Sequence, residues 1–188
     1  MTTADTRETL LAAGRAVVQA RGYSGLSFRE LAKDVGIKSA SVHYHFPTKG
    51  DLGAALARRY TDEAAAYFDS LLAASQDPAS CISNYANVFR SALSNDNRMC
   101  LCGIMAAERD ELPAEVRAEV DRFTDMNIQW LAKVLSLQKP NPGRKALQRK
   151  AAAIFAAIGG AQLVARGRGD VAVFDEIIES YRAAGLIP

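Results

Sequence analysis

Two histidines, three cysteines and one tryptophan are all that this 188-residue chain holds of three side chains that often carry chemistry. The histidines stand at 43 and 45, remote in sequence from every cysteine, and no carboxylate–histidine pair or metal-site spacing occurs. A cysteine-dependent enzyme would therefore lack its base. Cysteines at 81, 100 and 102 form an odd, irregular set, unlike a secreted disulfide framework. No apolar run approaches the ~20 residues of a membrane span. Met1-Thr2-Thr3-Ala4-Asp5 has neither the basic nor the apolar region of a signal peptide. The expectations are a cytoplasmic chain that is not an enzyme, with no membrane contact, no metal and no cofactor. Alternating β-branched runs between hairpin turns are missing too, and so are internal repeats and low-complexity tails.

What remains is helix. Apolar residues make up 49% of the chain and charged ones 23%, ordinary for a globular protein. The net charge of +2 hides an asymmetry: residues 1–60 hold nine Lys/Arg against five Asp/Glu, while residues 61–188 hold fourteen against sixteen. A basic N-terminal third on a mildly acidic body suits contact with a polyanion through one end. Periodicity and capping residues predict helices over about 6–21, from Ser27, from Ser39, and over about 48–74. Others follow at about 79–94, 99–108, 113–137, 144–167 and 171–184. The breaks fall at Gln76-Asp77-Pro78, Asn95-Asp96-Asn97, Leu112-Pro113, Pro140-Asn141-Pro142-Gly143 and Gly167-Arg168-Gly169.

Residues 27–46 are the informative stretch. Ser27 and Glu30 have the spacing of a capping box, Gly36 suits a left-handed helix stop, and Pro47 disfavours helix at Phe46. Ser39 is placed to cap the next helix, and Thr48 with Asp51 repeats the capping pattern. Ala32 at the crossing, Gly36 at the corner, and Leu31, Val35, Ile37 and Val42 facing inward give a helix-turn-helix. Residues 39, 40, 43 and 44 then share the outward face. Arg29 can reach a guanine edge or a phosphate. Lys49 stands where a helix N-terminus already favours an anion. His43 and His45, two apart on a helix, point to different faces and do not make a metal pair.

Leu26-Ser27-Phe28-Arg29-Glu30-Leu31-Ala32, Val35-Gly36-Ile37 and Tyr44-His45-Phe46 followed by Lys49 and Leu52 resemble the tetracycline-repressor (TetR) family of bacterial transcriptional regulators. The likeness covers residues 6 to about 56. It implies an all-α fold, with a three-helix DNA-binding domain in residues 1–50 and a helical ligand-binding and dimerisation domain in residues 51–188. By position, Ser27, Tyr44 and Lys49 are implied phosphate contacts. Arg29, Lys38, Ser39, Ser41 and His43 are candidates for base edges or nearby backbone. His45 fits either a DNA contact or a packed histidine. Ala40 and His43 stand where many members have glycine and a further aromatic, so the operator is this chain's own.

In the body, Phe123, Met126, Asn127 and Trp130 fall close together on one helical stretch, an apolar lining with one amide. Phe68, Tyr85, Phe89, Cys100, Met105 and Gln162 are expected to complete a pocket for a small, mostly apolar effector. Tyr67 and Phe155 are further candidates. Cys100 and Cys102, two apart, diverge by about 200° on a helix and are poorly placed to share a metal or form a local disulfide, but either could serve as a reactive thiol beside Arg98. The small residues Ala156, Gly159 and Gly160, with Leu163, Phe174, Ile178 and Tyr181, suit a two-helix face that pairs with a second copy. The reading is a dimeric repressor released from a palindromic DNA operator by a small molecule. Thiol-based redox or electrophile sensing is the alternative, ahead of an effector-free DNA-binding protein or a cysteine-dependent enzyme.

Overall fold

A computed structural model describes residues 3–138, 140 and 142–188; Asn141 of the expected Pro140–Gly143 break lies outside them. Among the described residues there are nine α-helices and no strand: α1 (Thr3–Arg21), α2 (Phe28–Val35), α3 (Ser39–His45), α4 (Lys49–Ala74), α5 (Pro78–Ser94), α6 (Leu101–Ala107), α7 (Ala114–Leu135), α8 (Arg144–Arg168) and α9 (Val171–Ala183). A single 3-10 turn, Arg109–Glu111, follows α6. The all-α fold is as expected, and no described helix is long and apolar enough to cross a membrane. The chain forms two compact units: residues 1–61 with 101–123, and residues 62–100 with 124–188.

Local chemistry sets the helix ends in the first unit. Gly36 closes α2 in the left-handed region (φ 75°), its N–H directed to the carbonyls of Ala32 and Lys33. The expected Ser27–Glu30 capping box forms by half. The Ser27 hydroxyl accepts from the Glu30 N–H at 3.5 Å, but the Glu30 carboxylate turns to Arg29 Nε at 3.2 Å. Ser39 is not a cap: it is the first residue of α3, Lys38 holds the cap position, and no side chain bonds there. Helix α4 carries the full reciprocal pair. The Thr48 N–H donates to Asp51 Oδ2 and the Asp51 N–H to Thr48 Oγ1, both at 3.0 Å.

The core of this unit is built on α1, with Leu10, Leu11 and Val18 buried together with Leu31, Val42, Phe46, Leu52 and Leu56. Phe46 and Val42 leave α3 no second face to bury. Gly22 ends α1 at φ 79°. A Cβ there would sit 2.5 to 2.7 Å from the Glu108 carboxylate, which accepts the backbone N–H groups of Tyr23 and, at 3.1 Å, Ser24.

In the second unit, α5, α8 and α9 pack through Ile82, Ala86 and Leu93, through Ile154, Ile158 and Ala165, and through Phe174 and Ile178. Arg90 of α5 grips Asp175 of α9 with two parallel bonds of 2.7 and 2.8 Å. Asp77 caps α5 through the Ser80 N–H at 2.9 Å, and Asp170 caps α9 through Ala172. Asp96 and Asn97, both at positive φ, break the chain before Cys100.

Glu108→Ala strands two backbone donors and is expected to lower stability by about 2 kcal/mol. That corresponds to a fall in melting temperature of roughly 4–8 °C, read by circular dichroism; an unchanged melting curve would mean that water replaces the carboxylate without loss.

Candidate nucleic-acid interface and buried aromatic cluster

The two turns of α3 separate its residues by face. Val42 is fully buried and the flanking Phe46 nearly so, whereas Lys38, Ser39, Ala40, His43 and Tyr44 are exposed and Ser41 and His45 half-buried. Tyr44 is 76% exposed, a large aromatic with no core to fill. Its ring meets His45 edge-on at 5.2 Å. Arg29 projects from the first turn of α2 with its side chain 89% exposed. Ser27, by contrast, is half-buried and engaged as the α2 cap.

Two expected contacts are held by their own chain. The Lys49 ammonium lies over the Tyr23 ring at 4.4 Å and donates to the Ser24 carbonyl at 3.4 Å. Burial pushes its pKa down, and the charge of Glu108 acts the other way. Two of its three N–H bonds remain for another acceptor. His43 places Nδ1 3.3 Å from the Pro47 carbonyl oxygen and its ring edge-to-face with Phe28 at 4.8 Å. Neither Phe28 nor Pro47 is among the site residues expected from the sequence. Their contact with His43 crosses the helix-turn-helix and leaves no periodic trace.

Within the second unit, the expected pocket residues form an aromatic cluster. Phe68 of α4 lies 4.9 Å from Tyr85 and 5.1 Å from Trp130. Tyr85 stacks on Trp130 at 5.5 Å and 17°, and meets Phe89 at 5.3 Å. The Tyr85 hydroxyl donates to Asn127 Oδ1 at 2.7 Å. Trp130 is 6% exposed, and its Nε1–H is a buried donor with no acceptor among the described residues. Gln162 ties its own unit together, since its amide donates to the Phe89 carbonyl at 2.9 Å and accepts the Cys100 N–H at 3.1 Å. Met126 is half-buried. Met105 and Phe123 belong to the first unit, where Phe123 packs on Tyr60 at 5.5 Å.

The thiols are all buried. Burial, then the Asp77 carboxylate, pushes Cys81 up, and its Sγ donates to the Ser75 carbonyl at 3.3 Å. Among the described residues no group of three or more His, Cys, Asp and Glu is placed to hold a metal. On the expected pairing face, Phe174 and Ile178 are buried within their own unit. Ala156, Gly160 and Leu163 are exposed, with Gly159 and Tyr181 half-buried.

Two buried phenols make stability sensitive to alkali. Burial, aided by Cys100, holds Tyr85 well above its ordinary value; burial, then Glu115, pushes Tyr23 up to about 12. Unfolded tyrosines lose their protons near pH ~10, so this stabilisation is complete below that pH and is lost as the pH rises through the folded values. Urea midpoints should therefore fall from about pH 10 upward, more shallowly for Tyr85→Phe; an identical fall in the variant would remove Tyr85 as a source.

Residues 10–56 match the family model described as bacterial regulatory proteins, tetR family. No curated protein matches the sequence. Among solved structures, a TetR transcriptional regulator from Legionella pneumophila is 29% identical, with a TM-score of 0.88 and 96% of each chain covered. A TetR-family regulator from Agrobacterium tumefaciens is 28% identical, with a TM-score of 0.85 over 94% of this chain and 95% of that one. The reduced form of E. coli NemR, 22% identical with a TM-score of 0.79 over 97% of both, shares the fold. Residues 10–56 thus match the N-terminal domain of the TetR family, and over nearly its whole length the chain is similar in sequence and fold to TetR-family transcriptional regulators.

Proposed function

We propose that this regulator is a homodimeric repressor that grips a palindromic operator through α3 and releases it when a small effector enters the cluster around Trp130. The observation that carries the effector reading is the Trp130 Nε1–H. Buried donors are almost always satisfied, and leaving one bare disfavours the folded state by about 1–3 kcal/mol. A guest with an acceptor would remove that penalty. Phe68, Tyr85 and Phe89 supply apolar area for it, and Asn127 a polar anchor. A neutral or weakly polar molecule fits this setting.

DNA contact rests on the exposed row of Lys38, Ser39, His43 and Tyr44, and on Arg29, exposed in the first turn of α2. Lys49 and Tyr44 would hold phosphates, and Ser27 would do so from its cap position; the residues of α3 would reach base edges. Phosphate contacts supply most of the affinity and its salt dependence, and base contacts set specificity. Pairing of two copies rests on α8. Leu163 is 61% and Val164 49% exposed, and a Cβ at Gly159 or Gly160 would meet nothing within 4 Å in its own chain. Packing within the protomer does not require those glycines, whereas close approach of a second helix would. A two-fold dimer places half-sites about one helical turn apart (~34 Å) or a multiple of it. Operator and effector must then weaken each other's binding by the same factor.

A metabolite panel followed by thermal shift should contain compounds that raise the melting temperature and displace a duplex selected from a random library. Trp130→Phe keeps an aromatic ring, though a smaller one, and removes the donor; it should lose most of that stabilisation and still bind the duplex. Hits that stabilise the variant equally would place the effector elsewhere. Leu163→Asp should convert the dimer to a helical monomer by light scattering, and a wild-type chain that is monomeric at micromolar concentration would overturn the pairing.

A further inference from the structure

The surroundings of His43 determine which of its ring nitrogens faces outward bare. Nδ1 lies 3.3 Å from the Pro47 carbonyl oxygen. A carbonyl oxygen only accepts, so Nδ1 carries the proton. In a neutral imidazole the other nitrogen, Nε2, then has a lone pair and no hydrogen. The Phe28 ring, edge-to-face at 4.8 Å and 66°, fixes the plane in which that lone pair lies. His43 is exposed on the same side of α3 as Ser39, Ala40 and Tyr44, and the small Ala40 side chain one turn earlier leaves room for close approach.

Base edges in the major groove divide cleanly by this criterion. Adenine N6 and cytosine N4 carry amino groups that donate. Guanine offers only the acceptors O6 and N7, and thymine an acceptor and a methyl group. We propose that His43 is a specificity-determining residue whose Nε2 accepts a hydrogen bond from the exocyclic amino group of an adenine or cytosine. Guanine or thymine at that position would set acceptor against acceptor. This inference rests on α3 being the element that enters the groove, and it adds the chemical class of the base that His43 reads. The Pro47 carbonyl and the Phe28 ring are positioning groups. They orient the imidazole and touch no DNA in this assignment.

The test uses the full-length chain at about pH 8 and a library of duplexes with a random core. Wild-type selection should return one position in each half-site that holds adenine or cytosine. A synthetic duplex in which that base lacks only its amino group (purine for adenine, 2-pyrimidinone for cytosine) should bind about five- to tenfold more weakly. This arm needs no variant. His43→Phe should bind the two duplexes alike, and His43→Gln, which keeps an acceptor, should retain part of the discrimination. Equal loss on amino-group removal for wild type and His43→Phe, or a preference for guanine or thymine at the position that His43→Phe alters, would overturn the assignment. Selection of no common sequence by the wild-type chain would instead overturn the reading of α3 itself, and this inference with it.

Discussion

One carboxylate organises the first unit. Glu108, just beyond α6, accepts the N–H groups of Tyr23 and Ser24 in the turn after α1. Gly22 makes the approach possible, because any side chain there would occupy the carboxylate's place and would have to adopt positive φ. Once Tyr23 is held, its ring becomes a surface for two further contacts: Lys49 rides over it, and Gly53 lets α4 come close, since a Cβ at that glycine would meet the ring at 2.7 Å. The end of α1, the start of α4 and the segment after α6 are thus referred to one charged group. A carboxylate suits this role because its hydrogen bonds to neutral donors are charge-assisted. Gly22, Gly53 and one acid achieve here what a larger apolar core would do in a longer domain.

The helices were legible in the sequence because their punctuation is chemical. Gly22, Gly36, Asp77, Pro78 and Asp170 each act at the helix end where their type predicts. The outward face of α3 was legible for a different reason: seven residues with one buried side allow only one solution. Failures occurred where a side chain had two possible partners. Glu30 prefers the neighbouring Arg29 to the helix end, and Ser39 enters the helix because Lys38 already has extended backbone (ψ 146°). Phe174 and Ile178 show a different limit: apolar residues at helical spacing look the same whether the helix faces its own core or another chain. The candidate site was legible as a set of residue types but not as a network. Gln162 is the clearest case, since nothing local reveals that its amide bridges Phe89 and Cys100 across 73 and 62 residues of sequence.

The second unit treats its buried polar groups unequally. Asn127 and Gln162 are fully enclosed and hydrogen-bonded, as buried amides must be to avoid a desolvation penalty. The Tyr85 hydroxyl is enclosed and matched to Asn127. Trp130 differs, with its ring packed and its N–H bare, and the Arg98 Nε–H is likewise buried without an acceptor among the described residues. In the proposed role, an apolar cluster with one satisfied polar pair and one open donor would recognise by shape first and by a single directional bond second. Such a combination tolerates variation in a guest's apolar part and insists on where its acceptor lies.

That same Trp130 is the chain's only tryptophan, and it stacks within 5.5 Å of Tyr85. The intrinsic indole fluorescence of the whole protein therefore originates at one point. Its emission wavelength reports the polarity of the aromatic cluster, and its intensity reports how closely Tyr85 and Phe68 remain packed against it. The DNA-reading unit contributes only tyrosine emission, so the two parts of the molecule are spectrally separated without any label. Excitation at the indole band isolates events in the second unit even while the first is bound to a duplex.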